Sequence, residues 1–149
     1  MKLEYSISTI MCILWSLWYA KIETILLPAS NKSIFLFPKP SIYHFFMLML
    51  VIIMAWYPFI DDAIKKKNRL ASLFYGIGNI ALMTFVEDRL YFVWLGRFIR
   101  PDEWTCAGCY VQLSWGDCIP CWYFISISLM FLFYVLSINR IRYKLAKYI

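Results

Sequence analysis

Cys106-Ala-Gly-Cys109 and Cys118-Ile-Pro-Cys121 put four of the five cysteines of this chain within sixteen residues. Three chemistries suit that spacing. In an oxidising space the thiols close into disulfides, and a short loop without a core of its own gains most from such cross-links. Four cysteines allow three pairings, and spacing does not choose among them. As thiolates, two C-x-x-C pairs could instead supply the four ligands of a tetrahedral zinc. The third chemistry is redox exchange. Cys118 is expected at the start of a helix with Asp117 as N-cap, where exposed amides lower a thiol's pKa and Cys121 could resolve a mixed disulfide. Cys106 and Cys109 would then act as a shuttle pair.

A second set of chemical groups interrupts an apolar stretch. Glu87-Asp88-Arg89 follows an uncharged run from Leu70 to Val86. If that run is helical, Glu87 lies about 26 Å along the axis from Leu70. A charge at mid-membrane costs about 2.5–3.5 kcal/mol, so such residues usually mark a site or a buried pair. The bland alternative has Arg89 snorkelling outward while the acids pair with it, Arg97 or Arg100. Thr84, Asp88 and Tyr91 share one helix face, as do Glu87 and Tyr91. His44, the single histidine, falls at the same depth at the start of another apolar stretch. His44, Glu87 and Asp88 therefore form a candidate metal or transport site.

The elements that must position these groups follow from the apolar pattern. The 149 residues are 62% hydrophobic, more than a soluble domain of this length can hide. Stretches near 5–27, 41–60, 70–96 and 118–139 each approach the roughly 20 apolar residues that a helix needs to cross a bilayer. The first ends at Pro28 and carries bulky Trp15, Trp18 and Tyr19, which argues for a retained helix over a cleaved signal. The expected fold is an all-α integral membrane protein, a single transmembrane domain over 1–149. Its four helices form a bundle with a cysteine-rich exoplasmic loop between helices 3 and 4.

Charge sets the orientation. Lys2, Lys65, Lys66, Lys67, Arg69, Arg140, Arg142, Lys144 and Lys147 lie on one face if the helices alternate. The other face has five basic residues. Counting acids, the faces carry +6 (9 − 3) and +1 (5 − 4). The positive-inside bias places both termini and the 61–69 connection in the cytoplasm and the cysteine loop outside. The net +6 thus reflects attraction to a lipid bilayer. No basic patch interleaved with aromatics points to nucleic acid.

Other residues read as scaffold. Gly76-Ile-Gly78 allows close helix packing, with Asn79 hydrogen-bonding a neighbour. Trp94, Trp104, Trp115, Trp122 and Tyr123 suit an outer interfacial belt. Cys12 reads as a small buried side chain. Asn31-Lys-Ser33 matches the glycosylation triplet.

The topology with Cys118–Cys121 resembles the quinone-linked disulfide oxidoreductases of the vitamin K epoxide reductase type. That resemblance implies a four-helix bundle, a catalytic C-x-x-C at the exoplasmic start of a helix, and a quinone as cofactor. The family's separate cysteine pair after its first helix has no counterpart in residues 28–40. Three functions follow in order of expectation. The first is a non-catalytic accessory subunit of a larger membrane complex, its loop stapled by the cysteines. The second is a thiol–disulfide oxidoreductase using Cys118 and Cys121. The third is a metal-handling site at His44, Glu87 and Asp88. Whether the chain is an enzyme stays open at this level.

Overall fold

The structure, a computed structural model, describes residues 3–26, 42–65, 69–106 and 108–138, with backbone alone at 26, 42–48 and 104. Four helices make up most of these: α1 (Leu3–Leu26), α2 (Ile42–Ile64), α3 (Arg69–Trp94) and α4 (Cys121–Ser137). Between α3 and α4 come a 3-10 turn, Trp104–Cys106, and two short strands, β1 (Tyr110–Gln112) and β2 (Cys118–Pro120). The 28–40 loop with its glycosylation triplet, Lys66, Lys67 and the basic tail from Arg140 lie outside the described residues.

Two helix ends differ from expectation. α2 continues past Ile60 because its two following acids find partners. Asp61 forms an i,i+4 ion pair with Lys65 at 2.7 Å, and buried Asp62 accepts the Tyr5 hydroxyl at 3.3 Å. α4 begins at Cys121, not at 118, because Cys118–Pro120 is drawn into the ladder with β1. Among the described helices, α3 alone is long and apolar enough to cross a membrane. α1 carries Glu4, Lys21 and Glu23, and α4 has only 17 residues. The described residues are thus mostly helical with two disulfide bridges, and one of their helices meets the length and apolarity of a span.

α3 is the centre. It packs on each of the other three helices, while α4 packs mainly on α3. The crossing point is Tyr75-Gly-Ile-Gly-Asn79. A Cβ on Gly76 would sit 2.0 Å from the Trp56 ring of α2, and one on Gly78 would sit 2.6 Å from the Tyr134 ring of α4. Small residues admit both aromatic rings, as the sequence pattern suggests. Asn79 also has the expected partners. Its Nδ2 donates to Ser8 Oγ at 2.9 Å, and its Oδ1 accepts from Thr9 at 3.0 Å and Tyr134 at 2.7 Å. The rings of Tyr5, Tyr75 and Tyr134 stack in a row, with centroids 4.5 and 4.9 Å apart.

Pro58 explains why Ser8 stands where it does. Proline lacks an N–H, so the carbonyl four residues earlier loses its helical donor. That carbonyl belongs to Met54, and Ser8 Oγ of α1 donates to it at 2.7 Å. The interior is accordingly polar in places: Ser8, Ser16, Ser72 and Asn79 are fully buried. Leu14, Ile53, Phe124, Ile125, Phe131 and Leu132 lie on the outside.

Gly76→Ala is expected to destabilise the protein by about 1–3 kcal/mol, the usual cost of overpacking. The measurement is the thermal unfolding midpoint in detergent. An unchanged midpoint would show that Trp56 can swing aside freely.

Candidate functional site at the cysteine hairpin

The chain leaves α3 through a tight reversal. Gly96 takes a left-handed φ of 66°. Its N–H donates to Val93 O at 3.0 Å, and the Arg97 N–H donates to Phe92 O at 3.3 Å. These two bonds are the Schellman pattern, which satisfies the last carbonyls of a helix. The Arg97 guanidinium lies 5.1 Å over the Phe92 ring and pairs with Glu103 at 2.5 Å. Ile99, fully buried, then anchors the segment against Phe92, Cys106, Cys118 and Tyr123.

β1 and β2 pair antiparallel, with Tyr110 opposite Pro120 and Gln112 opposite Cys118. Ser114-Trp115-Gly116 closes the turn. Gly116 adopts φ +87°, and Leu113 N–H donates to Asp117 O at 2.8 Å. A three-residue loop ending in a left-handed glycine is a common hairpin closure. Continuing the register one step places Cys109 opposite Cys121, and those two are bridged. The second bridge joins Cys106 to Cys118. Both pairings cross from one C-x-x-C to the other, and neither closes a pair on itself. The four sulfurs that a zinc site needs as thiolates are all oxidised, and Cys12, buried in α1, is the only free cysteine among the described residues.

Asp117 holds the hairpin to α3. Its carboxylate receives Arg89 Nη1 at 3.1 Å and Nη2 at 2.6 Å, plus the N–H groups of Ile99 and Cys118, each at 3.1 Å. It is not the N-cap of α4. Pro120 occupies that position and makes no side-chain cap bond. Burial works against the charge on Asp117, but the guanidinium and the two amides outweigh it and hold the carboxyl below its ordinary value.

Asp88 faces protein. It is 5% exposed and accepts hydrogen bonds from the Tyr123 hydroxyl and from Thr105 Oγ1. Thr105 O in turn accepts Trp122 Nε1 at 3.1 Å. Glu87, one residue earlier, meets the Glu23 carboxyl of α1, whose charge also reaches Asp88. The His44 side chain lies outside the described residues, and among those described no cluster of three His, Cys, Asp or Glu could hold a metal ion. Arg89 pairs with Asp117 and not with the acids beside it.

Thr105, Glu23 and the anchoring role of Asp117 are absent from the sequence reading. A faint signal for Asp117 existed: it is the one acid between the turn and the second C-x-x-C. No protein-family model matches the chain, and neither does any curated protein or solved structure. Its chemistry rests on this geometry.

The two bridges should differ in reactivity, because thiol exchange needs access to sulfur. Cys106 and Cys118 are 2% and 0% exposed, whereas Cys109 is on the surface. Across a glutathione series with alkylation and peptide mass spectrometry, Cys109 and Cys121 should open first. Simultaneous opening of both bridges would contradict this assignment.

Asp117→Asn should weaken attachment of the hairpin by about 1.5–3 kcal/mol, the range for a hydrogen bond to a charged group. A depressed carboxyl pKa stabilises the fold above the unfolded-state value near 4 and loses that contribution as pH falls through the folded value. Protease nicking of the hairpin should therefore be flat from about pH 5 to 8 and rise below about pH 4. The Asn variant should be nicked faster and lose that acid dependence.

Proposed function

We propose that this chain is a four-span membrane protein with both termini in the cytoplasm and the hairpin on the exoplasmic side. In this reading it serves as a non-catalytic accessory subunit of a larger membrane assembly. The observation that carries it is inverted burial: hydroxyls and an amide fill the helix crossing while Leu, Ile and Phe side chains point outward. In water this arrangement would be unfavourable, whereas in lipid the apolar faces are at home and buried polar groups act as interhelical glue. Helix direction agrees. Tyr5 of α1 meets Asp62 at the end of α2, while Lys21 lies 4.8 Å over Trp94 at the far end of α3. The ends of the helices thus collect in the alternating order that the nine-against-five charge bias needs. Two disulfides suit an oxidising exoplasmic space.

Accessory status is favoured over catalysis by the cross-pairing of the cysteines, which ties strand to strand and strand to turn. A redox enzyme built on Cys118 and Cys121 would need that pair to cycle as one disulfide. The outward apolar faces and the exposed Trp115 and Tyr110 offer area to lipid and to other membrane subunits.

Single cysteines added at Lys66 and at Ser114, probed with a membrane-impermeant maleimide on intact cells, test the topology. Position 114 should label and position 66 should not. The purified protein should show no thiol oxidase or quinone reductase turnover. Steady turnover abolished by both Cys118→Ser and Cys121→Ser would replace the accessory reading with the oxidoreductase one.

A further inference from the structure

A cavity of about 400 Å³ lies where α3, the hairpin and α4 meet. Phe85, Ile119, Phe124 and Ile127 are among its apolar walls, and the Arg89–Asp117 pair is at its edge. Its volume is within the range of sites that bury a ligand. Phe124 is shared with a second depression of about 330 Å³, lined further along α4 by Ile125, Ser128, Leu129 and Leu132. Phe124 separates the two, which open on different faces of α4, and the first of them is a furrow between α3 and α4, apolar from Phe85 to Ile127 and polar at Arg89.

We infer that this furrow is a binding site for one phospholipid, with a hydrocarbon chain lying along α4 and the phosphodiester at Arg89. The inference rests on the membrane reading above and adds a ligand to it. Charge complementarity selects the headgroup. In the ion pair the Arg89 side chain is 34% exposed and that of Asp117 only 3%, so the cation is the accessible member. Guanidinium carries five N–H donors in a planar fork, and Asp117 engages two of its nitrogens, leaving further donors for a phosphate oxygen. The walls explain the chain. Phe124 is 52% exposed and Ile127 is half-buried, so the α4 wall of the furrow lacks full protein cover among the described residues. A hydrocarbon chain seated there fills the furrow at no desolvation cost to a polar group.

The test uses the full chain in phosphatidylglycerol vesicles containing a phosphatidylglycerol with a diazirine on one acyl chain. Photoadducts should concentrate on peptides from 113 to 132 and fall several-fold in Ile127→Trp, which fills the furrow. Ile53→Trp, on the outward face of α2, should change nothing, and intact bridges in both variants report folding. A diacylglycerol carrying the same diazirine should label several-fold less, and inorganic phosphate should not compete. Adducts spread over the outward faces of α1, α2 and α4 in proportion to exposure would overturn the site. So would equal labelling by diacylglycerol, or displacement by phosphate. Extraction of the chain by alkaline carbonate, with no adducts anywhere, would instead sink the membrane reading on which the site depends.

Discussion

A proline in the middle of a packed helix leaves a carbonyl that something else must satisfy, and much of this fold is arranged around that demand. Pro58 frees Met54 O, Ser8 of α1 donates to it, and Asn79 of α3 donates to Ser8. Asn79 then reaches Tyr134 of α4 through its carbonyl oxygen. One missing N–H in α2 is thus linked to all three other helices within a few ångströms. Gly76 and Gly78 flank the node because the Trp56 and Tyr134 rings must approach the α3 backbone closely. A buried carbonyl left without a donor is costly, so the polar node fixes which faces meet.

The hairpin depends on a different constraint, the charge of a carboxylate set among amides. Asp117 faces Arg89, Ile99 and Cys118 together, so α3, the linker after it and β2 share one acceptor. The bridges complete the job locally. Cys106–Cys118 lies against Phe92, Ile99 and Tyr123, and Cys109–Cys121 ties β1 to the first residue of α4. Asp88, below them, is satisfied by Tyr123 and Thr105. Each charged residue of the segment 87–89 has a partner on a different element: Glu87 on α1, Asp88 on α4 and the 3-10 turn, Arg89 on the hairpin. Three adjacent residues a hundred degrees apart on a helix can reach three neighbours in this way.

Helix existence was legible from apolar run lengths, and the Gly76-Ile-Gly78-Asn79 crossing was legible from residue size and polarity. The burial of Asp88 in protein and the clustering of the cysteines could also be read directly. The start of α4 could not, because Cys118–Pro120 has helical neighbours after it and a strand partner before it. Only pairing with Tyr110–Gln112, a tertiary fact, decides between them. The same pairing resolved the cysteine connectivity that spacing left threefold ambiguous. The partner of Arg89 was hidden for the same reason: Asp117 is 28 residues away and is brought close by the hairpin.

The cross-pairing has a consequence for how the protein is made. Each bridge spans 12 residues, whereas each C-x-x-C partner is only three away. Loop-closure entropy favours the near partner by about 1 kcal/mol, so an unfolded nascent loop oxidised early is biased toward the wrong rings. The correct pairs meet only after Gly116 has turned the chain and Tyr110–Gln112 has found Cys118–Pro120. Because Cys121 opens the last helix, that helix must also be in place. The native rings therefore need the hairpin, whether they form by oxidation after the turn or by exchange out of the near-partner rings.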